Sequence, residues 1–158
     1  MIPEKNDEII IIKEIKAPKK LVWDTWTKAE YIKDWMAPEG MTTRVEKQDF
    51  KEGGRFRYVM IGPDGKEYPS EGEYKKIIPE EQIESTDEFG EDFDAGEIEL
   101  PKIKLTTIQF KENDNTTKIL ITVLHKTPED KTKHEKMGVR PGWESTLKKF
   151  EECVLRRI

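Results

Sequence analysis

Apolar and polar positions change their spacing three times along this chain, and each change marks a change of backbone. The segment "EIIIIKEI" (residues 8–15) is β-branched over about eight positions and stops before Ala17-Pro18, the signature of a strand. Pro18 suits the first turn of a helix, where its missing N–H has no partner to lose, and Leu21, Val22, Thr25 and Trp26 follow at helical spacing. A second short helix, "AEYIKDW", is closed by Ala37-Pro38 and Gly40. From residue 41 to residue 126 the period is two. Strands are predicted over 42–50, 55–62, 67–78, 82–89, 102–111 and 117–126. The separators "KEGG", "PDG", "PEEQ" and "ENDN", and a long acidic stretch, break the alternation, the short ones with turn-forming residues.

After Pro128 the period becomes helical again. "DKTKHEKM" forms one helical piece, and Gly138, Pro141 and Gly142 interrupt it. Trp143, Thr146, Leu147, Phe150, Val154 and Ile158 then line one face of a long helix whose other faces are mostly Lys, Glu and Arg. A proline inside a helix costs roughly 3 kcal/mol, so Pro141 is expected in the first turn or at a kink.

Six consecutive strands with tight connections form an antiparallel meander, and the class is α+β. One long amphipathic helix must cover a sheet of about seven strands. A helix is about 10 Å wide and strands lie about 4.8 Å apart, so a flat sheet would be mostly bare. The sheet is therefore expected to curl around the C-terminal helix, and incomplete filling leaves a cavity between them.

The hairpin "GGRFRYVMIGPDGKEYPSEGEYKKIIPEE" (residues 53–81) forms one wall of that space. Phe56, Tyr58 and Met60 share one face, and Arg55, Arg57 and Val59 share the other. Arg side chains belong at the wet face, which turns the aromatic face inward, and Gly72 on the return strand makes room for bulky neighbours. Packed core and cavity wall are both consistent with this pattern. Tyr58, Tyr74, Trp35 and Trp143 favour a cavity, because each joins an apolar body to a polar tip. Met60 suits irregular space. The expected lining set is Trp35, Met36, Phe56, Tyr58, Met60, Tyr74, Met137, Trp143 and Leu147.

Composition narrows the class. A length of 158 residues gives one domain, 1–158, with a real core. Charged residues (39%) outnumber hydrophobic ones (34%), which alone would suggest disorder, but four Trp, four Tyr and six Phe in periodic segments argue for a folded domain. A net charge of -5 without a basic stripe excludes a nucleic-acid surface. A single cysteine, Cys153, excludes an internal disulfide and fits a reducing compartment. No segment is long enough to insert in a membrane, and a cytoplasmic location is expected, as a monomer or homodimer.

Candidate chemistry is sparse. His125 ends a strand and His134 lies in the charged "KTKHEK", so both are expected at the surface. No ligand spacing points to a metal, and Cys153 has no partner marking it as a nucleophile. No phosphate loop, nucleophile elbow or carboxylate pair identifies a catalytic set or a cofactor. Residues 77–101 contain ten acidic residues and no Lys or Arg. Asp92, Asp94 and Gly96 do not have the spacing of a calcium loop. The stretch reads as a solvated loop, a flap at the cavity mouth or a dock for a basic partner.

Three segments carry a resemblance: "IKAPKKLVWDTWTKAEYIKDWMAPEGMT", "FKEGGRFRYVMIGPDGKEYPSEGEYKKIIPEEQIESTDEF" and "MGVRPGWESTLKKFEECV". In order and spacing they resemble the domain related to the C-terminal part of the activator of Hsp90 ATPase, within the START-like, helix-grip superfamily. The resemblance runs from about Glu8 to Val154. Many members carry paired aromatics and a Gly-Pro where this chain has Asp34-Trp35-Met36-Ala37-Pro38, which alters the pocket mouth. The resemblance implies a helix-grip fold and leaves function open. The first expectation is a cavity for a small hydrophobic or amphipathic molecule. The second is a chaperone-associated interaction domain, weakened because the activator's N-terminal half has no counterpart here. The third is an enzyme using the cavity.

Overall fold

A computed structural model describes residues 3–90, 93, 96 and 99–158. Strand β1 (Glu8–Ile15) leads into helices α1 (Lys19–Thr27) and α2 (Ala29–Trp35). The meander follows as β2 (Thr42–Gln48), β3 (Arg55–Ile61), β4 (Glu67–Ile78), β5 (Gln82–Ser85), β6 (Glu88–Phe89), β7 (Ile103–Asn113) and β8 (Thr116–His125). Helices α3 (Pro128–Lys136) and α4 (Val139–Leu155) end the order. The sheet order is β1-β8-β7-β5-β4-β3-β2, every pairing antiparallel, with β6 beside β4. The meander expected from the short connections is thus present, and β1 closes it by pairing with β8.

One expected strand, 82–89, is broken. Ser85 pairs with Tyr74 and Glu88 with Glu71 in one continuous register, interrupted at Thr86 and Asp87. There Glu73 is held twice, its N–H donating to Thr86 Oγ1 (2.8 Å) and its carbonyl accepting from Thr86 N–H (3.0 Å). Pro141 falls in the first turn of α4, one of the two places its chemistry allows. Gly138, with φ of 83°, turns the chain from α3 into α4 in a conformation that glycine adopts without a Cβ penalty.

The core gathers where the helices meet the β1-β8-β7 side of the sheet. Trp26 sits edge-on to Phe150 at 5.0 Å and to Phe110 at 5.8 Å, and Trp35 meets Phe150 at 4.6 Å. Ile9, Ile15, Ile119, Ile121 and Val154 are fully buried around them. Helix α4 rests on α1, α2, α3 and the edge strand β1. It therefore covers one side of the curved sheet and stands away from β3, β4 and β5, the imbalance of widths that leaves a cavity.

The junction of α3 and α4 is tied to the N-terminal segment. Arg140 Nη2 meets Glu4 Oε1 at 2.7 Å, Lys131 Nζ meets the same oxygen at 3.1 Å, and Ile10 N–H donates to Glu4 Oε2 at 2.8 Å. The hydrogen bond from Arg140, first of these, holds the Glu4 carboxyl down at about 2. The clasp is charged at any ordinary pH.

Candidate functional site: a cavity between the sheet and the last helix

A half-enclosed cavity of about 280 Å³ lies between the inner face of β3, β4, β5 and β7 and the first turns of α4. Alternation builds most of its wall. Phe56, Tyr58 and Met60 come from β3, Ser70 and Tyr74 from β4, and Ile83 and Ser85 from β5. Asp87 and Phe89 continue the β5 parity past the break. Two bulges alter the parity elsewhere. In β2 the register shifts between Val45 and Lys47, which brings Gln48 inward opposite Phe56. In β7 it shifts between Ile103 and Leu105, so both Ile103 and Thr106 reach the cavity. Val139, Gly142, Trp143 and Thr146 of α4 close the opposite side, and Met36 and Pro38 come from the end of α2.

Aromatic rings set the character of the wall. Phe56 stacks on Tyr58 at 5.0 Å and meets Tyr74 at 5.1 Å. Trp143 stacks parallel to Trp26 at 6.2 Å. The polar groups are mostly paired with one another. The Tyr58 and Tyr74 hydroxyls are 3.0 Å apart, and burial raises both phenols, Tyr58 well above the ordinary range. Ser70 Oγ donates to Asp87 Oδ1 (3.3 Å) and Thr106 Oγ1 to Oδ2 (3.5 Å). Burial raises the Asp87 carboxyl nonetheless.

Six of the nine residues expected at the lining stand there: Met36, Phe56, Tyr58, Met60, Tyr74 and Trp143. Three do not. Trp35 is fully buried in the core, and its indole N–H already donates to the Thr25 carbonyl at 3.0 Å. Leu147 is core beneath the lining. Met137 ends α3, its N–H donating to Lys133 and His134 carbonyls, and its side chain lies off the cavity.

The histidines are a correction. Both were expected at the surface, yet His125 is 1% exposed and hydrogen-bonded to His134 at 2.9 Å, and His134 lines the cavity. The signal for His125 was available. Ile119, Ile121, Val123 and His125 share one parity of β8, and that parity is buried throughout. Asp87 was legible in the same way, at the parity of Ile83 and Ser85. Among the described residues no group of three metal-ligating side chains occurs. No helix of the described residues is long and apolar enough to cross a membrane. Of the acidic stretch, Glu91, Asp92, Asp94 and Glu97, and with them the expected flap, lie outside the described residues.

A family model described as "Activator of Hsp90 ATPase homolog 1-like protein" matches residues 16–154. Several solved structures share the architecture. A protein from Nitrosomonas europaea superposes with a TM-score of 0.81 at 23% identity, over 98% of each chain. One from Arthrobacter aurescens reaches 0.88 at 20% identity, over 99% of this chain and 91% of its own. An AHSA1 protein from Silicibacter pomeroyi gives 0.70 at 18% identity, over 96% of this chain and 99% of its own. Likeness at these identities speaks to the fold, the helix-grip arrangement of a curved antiparallel sheet and a C-terminal helix. No curated protein matches the chain.

Proposed function

The chain belongs to the Activator of Hsp90 ATPase homolog 1-like family, and we propose that it binds a small hydrophobic or amphipathic molecule in the cavity beneath α4. One observation carries this reading: an apolar space of about 280 Å³ whose aromatic walls hold only a few polar groups, most of them already paired. Ligand sites have this make-up, with apolar bulk for affinity and a few fixed dipoles for orientation. The volume suits a molecule of two or three rings. Family membership supports the architecture and leaves the ligand open. The chaperone association in the family's name is the alternative, and nothing in the geometry of the cavity calls for it.

The fluorescent probe N-phenyl-1-naphthylamine tests the reading. The protein is expected to take it up saturably with one site. Tyr58→Ala removes the ring stacked on Phe56 and the partner of the Tyr74 hydroxyl, and should change the affinity about tenfold or more, about 1.4 kcal/mol, while the far-UV circular dichroism is kept. Absence of saturable binding, or equal binding by the variant, would speak for a filled core.

A further inference from the structure

The hydrogen bonds of the His125–His134 pair fix the tautomer of both rings. The Asp7 carbonyl oxygen has no hydrogen to give, so His125 Nδ1, 3.0 Å away, is the donor. Burial holds this ring neutral, its pKa lowered, and its Nε2 therefore carries a lone pair. That lone pair stands 2.9 Å from His134 Nδ1 and accepts its proton. His134 is neutral as well, lowered to about 4 by burial first and by His125 second. The backbone of the N-terminal segment thus dictates the tautomer of a cavity residue two links away. The remaining nitrogen, His134 Nε2, is an acceptor, and no hydrogen bond from a described residue reaches it.

The rest of the lining sets what such an acceptor can take. No Lys or Arg is among the described lining residues, so an anion entering the cavity would lose its hydration without a countercharge. A carboxylate would also set its own lone pairs against that of Nε2. Each Asp87 oxygen already accepts a hydrogen bond, from Ser70 or from Thr106, whereas His134 Nε2, the strongest neutral acceptor of the wall, receives none from a described residue.

We infer that the cavity selects neutral ligands bearing a hydroxyl, an alcohol or a phenol, at one end of an apolar body, with the hydroxyl donating to His134 Nε2. The inference rests on the cavity-binding reading and adds the chemical class of its ligand.

Calorimetric titration with four naphthalenes of similar shape separates the two. At neutral pH, 2-naphthol should bind about tenfold or more tighter than 2-methoxynaphthalene, which has no hydrogen to donate, and 2-naphthoate should bind most weakly. In His134→Phe the preference for the alcohol over the ether should shrink to less than about twofold. Equal binding of alcohol and ether, or tighter binding of 2-naphthoate or of 2-naphthylmethylammonium, would overturn the inference and leave the cavity reading in place. If none of the four binds, both fall. The imidazole ¹⁵N spectrum of the wild-type protein gives a check independent of ligand and variant. Both rings should be the Nδ1–H tautomer, and a proton on His134 Nε2 would contradict the assignment.

Discussion

Phe150→Ala should cost about 3–5 kcal/mol of folding stability, the range for emptying a buried phenylalanine site. The ring is fully buried on α4 and touches Trp26 and Trp35 edge-on at 5.0 and 4.6 Å. Those contacts join the last helix to both short helices, and Trp26 carries them on to Phe110 of β7. The surrounding rings are large and locked by each other, so the hole has little means to close. Urea denaturation, followed by tryptophan fluorescence, measures the loss as a lower midpoint at unchanged slope. A loss under about 1 kcal/mol would mean that the ring is not a core residue.

Gly72→Ala comes next in expected effect. A Cβ at this position would stand 2.1 Å from the Thr86 carbonyl oxygen and 2.7 Å from Phe56 Cζ. The ring could turn aside, but the carbonyl belongs to a residue hydrogen-bonded to Glu73 on both of its sides. Strands β4 and β5 must therefore separate, and overpacking of this kind costs about 1–3 kcal/mol, with backbone displacement at the upper end. Phe56→Ala in the same chain relieves only the ring contact, so the double variant should keep most of the glycine penalty. Full recovery would locate the strain in the ring instead. Because Phe56, Tyr58 and Tyr74 all surround this point, Gly72→Ala should also disturb uptake of the naphthylamine probe.

The order of elements was legible because short connections between alternating segments leave a meander few alternatives. The inward faces of β3 and β4 were legible because Arg55 and Arg57 mark the wet side. The lining set was read less well, for reasons that can be named. A bulge reverses parity, and nothing in "RVEKQDF" announces that Gln48 comes inward after Val45. Trp35 has the right chemistry for a cavity, but the α1–α2 turn folds it back so that the Thr25 carbonyl takes its N–H. That contact depends on an angle between helices, which periodicity does not encode. His125 needed only the parity of β8. His134 needed the placement of α3 against the sheet, a tertiary fact.

The most direct test of the cavity reading is the methyl spectrum of the methionines during titration with N-phenyl-1-naphthylamine. Met36 and Met60 line the cavity, whereas Met41 and Met137 lie outside it. On that reading, saturable shifts occur at Met36 and Met60, with Met41 and Met137 unmoved. Shifts confined to Met41 or Met137, or no saturable shift at Met36 and Met60, would contradict it.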